Sequence, residues 1–296
     1  MLIAILIVSS ITAKTTNSKT NSFIEDNVSF STWLWDTSEI VNNSDAIISF
    51  LVKNNVKVLH LQIDYSMNHA NYRTFIRKAT NNNIIVEALD GSPEWILADE
   101  PTSQNIFFDW LTSYQKATPS NEQFKGVHLD VEPYYNDQYN TNPNLIISKY
   151  QNFLLASKNS CKELNLNLGI DIPFWFNTVQ YTTIYGSGNL AEWIFENIKT
   201  VSIMAYRDIA TEDNGINKII ETEMSLCNKY NVNVTISVET VNIPDTPFVT
   251  FFEEGEAHMN NELNTVYLNY RTNSSFKGFA IHSLDSWEYD PLAVNR

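Results

Sequence analysis

The segment FKGVHLDVEPYY, residues 124–135, combines the pattern of a buried β-strand with three ionisable side chains. Apolar residues recur at every second position, which is the period of a strand, at Val127, Leu129 and Val131. The positions between them, which share the other face, are His128, Asp130 and Glu132. Because burying charge without partners is costly, this face must meet a polar or partly wet interior.

Strand-like and helix-like segments alternate along the chain. The predicted strands are residues 30–37, 56–65, 84–91, 124–133, 166–175, 200–208, 233–241 and 276–287. The predicted helices are residues 44–55, 68–82, 102–117, 143–163, 188–198, 215–230 and 255–271. Alternation of this kind predicts a parallel sheet, and eight repeats in one chain predict a single-domain (β/α)8 TIM barrel over residues 26–296. A doubly wound open sheet is the alternative, but no Gly-rich phosphate loop follows the first strand.

The composition and the net charge restrict the classes of protein and of partner to be considered. The chain has 296 residues, 43% hydrophobic residues and a formal net charge of −15, which together indicate a globular acidic protein. A polyanion such as nucleic acid, or an anionic membrane surface, would be repelled by this charge. The charge fits a neutral or cationic ligand, although it also serves solubility alone.

The N-terminal segment predicts secretion. An apolar run from Leu2 to Ile11 is too short to span a bilayer, and Ala13 is a plausible cleavage point, so residues 1–13 are predicted to be a signal peptide. An uncleaved anchor is the alternative. Residues 14–25 are polar and are predicted to be disordered. We therefore expect an extracellular protein, and we expect it to be a monomer.

The alternation of side chains between the two faces of each predicted strand places a set of polar side chains on the barrel axis. These side chains are expected to cluster at the carboxyl ends of the strands, where barrel active sites lie. The set comprises Asp64, Asp90, Asp130, Glu132, Asp171, Tyr206 and Glu239. For any one of them, a structural hydrogen-bond network is the simpler interpretation. As a set, clustered carboxylates raise one another's pKa and favour a catalytic site.

The chemistry that these residues permit is glycosidic bond hydrolysis. The reaction needs a carboxylic acid to protonate the leaving oxygen and a second group to stabilise the oxocarbenium-like centre. Sugar rings also stack on aromatic side chains, which the sequence supplies at Trp33 or Trp35, Trp95, Tyr134, Tyr135, Trp175, Tyr206 and Trp287. No cofactor and no metal is expected, and the expected partner is a polysaccharide or oligosaccharide substrate.

Three segments resemble the family 18 glycoside hydrolases, the chitinase-like barrels. Residues 125–133 resemble the fourth-strand signature D-G-x-D-x-D-x-E, with matches at Gly126, Asp130 and Glu132. Residues 202–208 resemble the sixth-strand M-x-Y-D, and residues 278–287 resemble the eighth-strand segment. The resemblance follows the strand order of most of the chain, and it rests on a handful of motif positions.

The resemblance implies roles for individual residues. Glu132 is the implied general acid/base, and Asp130 is implied to bond both Glu132 and the N-acetyl group of the substrate, which attacks as an internal nucleophile. Tyr206 is implied to hold that group. We assign substrate binding to Asp64, Asp90, His128, Asp171, Trp175, His282 and Trp287.

The sequence also departs from the family pattern. Lys125 and His128 stand where the family has Asp, His282 stands where a Trp usually floors the sugar site, and Pro133 follows the catalytic Glu where chitinases have an aromatic residue. These departures indicate a divergent branch whose substrate is a polysaccharide other than chitin.

Three alternatives stay open at the level of sequence. Glu132 and Glu239 also resemble the acid/base and nucleophile of two-glutamate retaining glycosidases, which place them at the ends of strands four and seven. A carbohydrate-binding lectin on a former hydrolase barrel is the non-enzyme alternative. A metal-dependent hydrolase using His60, His128 and His282 is the third, with weaker support because no His-x-His pair opens a strand.

Overall fold

A computed structural model describes residues 28–97 and 102–288. Eight parallel strands form a closed barrel in the order β1-β2-β3-β4-β5-β8-β9-β10, with β10 pairing back to β1. The strands are β1 (Phe30–Leu34), β2 (Val56–Gln62), β3 (Ile85–Asp90), β4 (Gly126–Leu129), β5 (Asn167–Pro173), β8 (Thr200–Met204), β9 (Asn233–Glu239) and β10 (Phe276–His282). The predicted (β/α)8 barrel is confirmed, and each of the eight predicted strands is present.

Helices follow the strands and cover the outside of the barrel. They are α1 (Glu39–Asn42), α2 (Ser44–Lys53), α3 (His69–Asn81), α4 (Thr102–Lys116), α5 (Pro143–Leu164), α6 (Leu190–Asn197), α7 (Ile216–Ile219), α8 (Glu221–Tyr230), α9 (Gly255–Tyr270) and α10 (Leu284–Glu288). The predicted helix over residues 215–230 is divided at Ile220 into α7 and α8. Among the described helices, none is both long and apolar enough to cross a membrane. The predicted signal peptide and the polar segment at residues 14–25 lie outside the described residues.

A two-stranded hairpin between β5 and α6 was not predicted. It consists of β6 (Gln180–Thr183) and β7 (Gly186–Asn189), which pair antiparallel. Its turn places Gly186 at φ +102°, a conformation that side-chain-bearing residues rarely adopt. Four-residue strands with few apolar residues give little periodic signal, which is why the sequence does not reveal them.

The strands are shorter than predicted at their carboxyl ends, and this positions the site. The fourth strand ends at Leu129 rather than at residue 133, so Asp130 and Glu132 lie in the loop at the mouth of the barrel. The Asp130 amide still bonds to the Asp90 carbonyl at 3.1 Å, and Pro133 then begins a short 3-10 turn. Pro133 has no amide hydrogen and so cannot continue the ladder.

The strand register corrects the predicted facing of β3. His60 pairs with Glu87, and Leu89 pairs with His128, so Glu87 and Leu89 share the axial face. The prediction instead placed Asp90 on that face. Each face of residues 84–91 carries apolar residues and one carboxylate, Glu87 on one face and Asp90 on the other, so alternation within this segment does not determine which set points inward.

A single indole fills the middle of the barrel. Trp33 of β1 is 1% exposed and forms a small interior cluster with Leu89 and Ala280, separate from the main core. Its ring centroid lies 5.1 Å from that of His60 and 5.8 Å from that of His128. The barrel interior is therefore a packed layer, and the polar groups lie around and above this indole.

Candidate active site

Glu132 lies at the carboxyl end of β4 in a partly aromatic setting. Its side chain accepts a hydrogen bond from the Tyr134 hydroxyl, and the Tyr134 ring packs edge-on against Trp175 with centroids 5.0 Å apart. Burial raises the pKa of Glu132 and the Asp171 charge adds to this, while the Tyr134 bond and His282 act in the opposite direction. The net rise in pKa favours a protonated carboxylic acid that substrate can still reach, because the residue is only half-buried.

Asp130 presents an unsatisfied carboxyl oxygen beside Glu132. Its Oδ1 atom is buried and has no hydrogen-bond partner. Burial raises the pKa of Asp130 well above its ordinary value, and the charges of Asp171 and Glu132 raise it further. A buried carboxyl of this kind is most stable with a proton, which it can donate to a neighbouring acceptor or to a ligand.

Asp171 lies behind these groups on β5. Its Oδ2 atom accepts from Trp33 Nε1 at 3.3 Å and from His128 Nε2 at 2.9 Å. Burial lowers the pKa of His128, but the carboxylates of Asp171 and Glu87 together outweigh burial and leave the pKa raised. Both side chains are nearly inaccessible, at 3% for His128 and 2% for Asp171, so this pair is a fixed part of the barrel interior.

Glu239 ends β9 in a setting very different from that of Glu132. Its Oε1 atom accepts from the amides of Thr240 at 2.7 Å and Val241 at 2.8 Å. Its Oε2 atom lies 2.9 Å from Nδ1 of His282. Both carboxylate oxygens are therefore bonded within the protein.

His282 continues this chain of hydrogen bonds to the barrel mouth. Trp35 Nε1 donates to His282 Nε2 at 2.9 Å. Because an indole N–H can only donate, Nε2 must be the acceptor and the imidazole proton must lie on Nδ1, facing Glu239. Burial lowers the pKa of His282, but Glu239, Asp171 and Glu132 together raise it by more, so protonation competes with the Trp35 bond.

Tyr206 lies among the carboxylates. Its ring centroid is 6.3 Å from that of His282. Burial raises the pKa of the Tyr206 hydroxyl, and four charges add to this effect: Glu239, Asp171, Asp130 and Glu132. The phenol is therefore a neutral hydrogen-bond donor in the centre of the group.

The structure thus brings together eight of the eleven predicted site residues: Asp130, Glu132, Tyr206, Glu239, His128, Asp171, Trp175 and His282. Two further residues join them that the sequence did not single out for a site role. Trp33 and Tyr134 were counted only as candidate aromatic surfaces, but each donates a hydrogen bond to a site carboxylate. The structure pairs Trp33 with His60, so the same alternation that placed polar side chains on the barrel axis also applies to Trp33.

Three predicted substrate-binding residues lie elsewhere. Asp64 accepts from the amide of Ser66 at 2.8 Å and so closes its own turn. Asp90 accepts from Gln62 at 3.1 Å and from the Tyr65 hydroxyl, consistent with its position off the axial face of β3. These contacts assign the Asp64 carboxylate to a turn and the Asp90 carboxylate to the joined ends of β2 and β3, rather than to the cluster around Glu132.

Trp287 is the third residue that the structure separates from the site. The eighth strand ends at His282, and the chain turns into α10, which carries Trp287 to the outside of the barrel. There its ring packs 6.0 Å from Phe30 and 5.2 Å from Phe50, with 7% exposure. Its predicted contact with substrate is replaced by a packing role between β1 and α2.

Comparison with known proteins identifies the fold. No protein-family model and no curated protein sequence matches the chain. Among solved structures, a family 18 chitinase from Cycas revoluta in complex with (GlcNAc)3 aligns with TM-score 0.52 and 11% identity, over 87% of this chain and 95% of that chain. The fold of this chain is similar to the barrel of family 18 chitinases. A second example, catalytic domain 2 of the Group II chitinase of Ostrinia furnacalis, aligns with TM-score 0.52 and 9% identity, over 88% of this chain and 91% of that chain.

The likeness concerns the fold, because so little of the sequence is shared. It confirms the resemblance that the motifs of β4, β8 and β10 indicate, and it describes a divergent chitinase-like barrel. The Cycas revoluta enzyme has also been solved in complex with allosamidin, with TM-score 0.52 and 10% identity to this chain.

Proposed function

We propose that this protein is a glycoside hydrolase in which Glu132 is the general acid/base. The observation that carries the proposal is the state of this carboxyl, which is half-buried at the barrel mouth and has a raised pKa. It lies beside a second carboxyl with a raised pKa, that of Asp130. An acid with a raised pKa can still hold its proton near neutral pH and deliver it to a leaving glycosidic oxygen. The chitinase-like fold supports this reaction class.

The second group in the proposed mechanism is the substrate itself. Glu132 protonates the leaving oxygen while the carbonyl oxygen of a 2-acetamido group attacks the anomeric carbon. Water then opens the resulting ring, and Glu132 takes the proton from that water. Asp130 has an unpartnered buried oxygen with which to bond the acetamido N–H, and the neutral Tyr206 phenol can donate to the acetamido oxygen. Substrate assistance is an established exception to the two-carboxylate scheme.

The bonding of Glu239 argues against the two-glutamate alternative. A nucleophilic carboxylate must present a free oxygen to the anomeric carbon, whereas Glu239 accepts from two backbone amides and from His282. We therefore propose that Glu239 fixes His282, and that His282 with Trp35 forms the floor of the sugar site. A bonded imidazole presents a smaller apolar face than a tryptophan, which fits a polymer that carries 2-acetamido sugars but differs from chitin.

Exposed aromatic rings beside Glu132 supply a surface for further sugar units. Tyr135 is 70% exposed and its ring packs 4.9 Å from that of Tyr134. Trp175 is half-buried on the other side of Tyr134. This aromatic strip supports a polymer or oligomer as the substrate. Secretion and a monomeric state remain predictions from the sequence.

A product assay tests the proposal. The purified protein is incubated with a panel of polysaccharides and oligosaccharides that includes chitin oligosaccharides, and new reducing ends are followed together with the anomer of the first product. We expect turnover with retention at the anomeric carbon, and none from the Glu132→Gln variant. Glycan binding without turnover on the whole panel would overturn the hydrolase and favour the lectin alternative.

A further inference from the structure

We propose a binding site for a divalent transition-metal cation such as Zn²⁺ in the barrel interior, formed by His60, Glu87 and His128. One ligand atom from each of these residues lies within 4.8 Å of the other two. The three residues come from the neighbouring strands β2, β3 and β4, so the ladder holds them in place. Two imidazoles and one carboxylate are a ligand set that suits zinc and similar ions.

The distances fit a small ion. His60 Nδ1 lies 3.1 Å from Glu87 Oε2, and His128 Nδ1 lies 3.9 Å from the same oxygen. In a tetrahedral zinc site with bonds near 2.0–2.1 Å, ligand atoms are about 3.4 Å apart. The two separations from Glu87 Oε2 lie on either side of that value, and the two imidazole rings, whose centroids are 3.8 Å apart, would have to move apart for both to bond one ion.

An unsatisfied nitrogen points to a missing partner. His60 Nδ1 is buried and has no hydrogen bond, because its contact with Glu87 lacks hydrogen-bond geometry. The His60 side chain is only 5% exposed, so water does not readily satisfy this nitrogen. Leaving such a group without a partner is costly, and a bound cation would offset that cost.

The hydrogen bond between His128 Nε2 and Asp171 gives a second, independent reason to expect a cation at the cluster. If His128 Nε2–H donates to Asp171 at 2.9 Å, then a neutral ring presents the lone pair of Nδ1 toward the Glu87 carboxylate. Two acceptors that face each other repel, and either a second ring proton or a cation between them removes the repulsion. Metal-bound histidines commonly donate their other N–H to a carboxylate in this way.

The backbone leaves room for these ligands. A Cβ atom at Gly126 would lie 2.5 Å from Glu87 Oε1, and one at Gly169 would lie 2.9 Å from His128 Nδ1. The Glu87 side chain is 17% exposed, compared with 3% for His128, so the carboxylate connects the cluster to solvent. The sequence did not suggest Glu87, because the facing of β3 was misassigned. It predicted no metal, because no His-x-His pair opens a strand. His282, counted earlier with the other histidines, bonds to Glu239 instead.

Metal binding by the whole protein tests the site. The purified chain is stripped with a chelator, dialysed and titrated with ZnCl₂ by calorimetry, and Co²⁺ is added separately to record its visible absorption. We expect one ion per chain and binding at least about 100-fold weaker in Glu87→Gln and in His60→Gln, because each removes a direct ligand. His69→Gln is the matched control, since His69 packs against Trp110 and Tyr114 outside the cluster.

The result that would overturn the proposal is equally direct. Absence of stoichiometric Zn²⁺ binding to the stripped protein, or equal affinity in Glu87→Gln, would show that a second proton on His128 satisfies the cluster instead. Thermal unfolding with and without ZnCl₂ provides a readout that needs no variant. We expect Zn²⁺ to raise the melting temperature of the wild-type chain, and an unchanged melting temperature would contradict the site.

Discussion

Glu132 and Glu239 end two strands of the same barrel, yet their surroundings prepare them for different tasks. Glu132 accepts one side-chain hydrogen bond, is half-buried and has a raised pKa. Glu239 is 5% exposed and both of its oxygens are bonded, one to two backbone amides and the other to an imidazole. The difference teaches that burial raises the pKa of a carboxyl at a barrel mouth when few donors stabilise its ionised form.

The largest expected effect comes from removing the acid. We expect Glu132→Gln to lower kcat by about 10²–10⁴-fold, the range for loss of a general acid or base, with sugar affinity unchanged. Reducing-end release and calorimetric binding on the same glycan measure the two quantities. Near-normal turnover in this variant would remove Glu132 from the chemistry.

Glu239→Gln separates the two glutamates. If Glu239 only orients His282, we expect kcat to fall by about tenfold, since a positioning defect disturbs geometry without removing a reacting group. A nucleophile would show a loss as large as that of Glu132→Gln. Azide offers a further check: formation of a glycosyl azide by Glu239→Ala would establish Glu239 as the nucleophile and contradict our assignment.

Tyr134→Phe would sharpen the comparison, because it removes the hydrogen bond that the Tyr134 hydroxyl donates to Glu132. The Tyr134 hydroxyl lowers the pKa of Glu132, so its removal raises that pKa further. The acid then keeps its proton to higher pH, and we expect the alkaline limb of kcat/KM to move upward by up to about one pH unit. Tyr135→Phe is the matched control, because Tyr135 is largely exposed and is the next residue in the chain. A shift of equal size in the control would exclude the hydrogen bond as the cause.

A third glutamate, far from the chemistry, extends the comparison to stability. Glu223 on α8 is fully buried, and burial raises its pKa to about 7 although backbone amides act in the opposite direction. Its pKa is raised relative to an unfolded value near 4.5, so ionisation in the folded state destabilises the protein increasingly from about pH 4.5 to pH 7.

We expect Glu223→Gln to remove that cost. The gain in unfolding free energy should approach about 3 kcal/mol above pH 7 and disappear below about pH 4.5, at 1.36 kcal/mol per pKa unit. Urea unfolding at pH 8 and at pH 4 measures both ends of this range. An equal effect of the variant at the two pH values would show that packing, not charge, governs the position.

The sequence is sufficient to predict the fold, but it does not predict every contact between residues of the site. Periodicity located all eight barrel strands, because the alternation of apolar residues can be recognised within one segment without knowing which strands lie beside it. Parity also placed Asp171 and Glu239 correctly, since their strands have one clearly apolar face. It failed on β3, where each face carries one carboxylate among apolar residues and only pairing with His60 and His128 determines the facing.

Loop conformation sets the other limit. Asp64 and Trp287 both follow the end of a strand, where the period of two no longer applies and the chain turns away from the axis. Hydrogen bonds between distant segments, such as that of Trp33 with Asp171 across 138 positions, also leave no local signal. The sequence therefore names the residues of a site more readily than it names their contacts.

The His128 ring, which lies beside the Trp33 indole on the barrel axis, also connects two groups of polar residues. Its Nε2 atom faces Asp171, whose charge raises the pKa of Asp130 and Glu132, and its Nδ1 atom faces Glu87. A change of charge at His60 and Glu87, whether from a proton or a cation, therefore reaches the carboxyls at the barrel mouth through this imidazole.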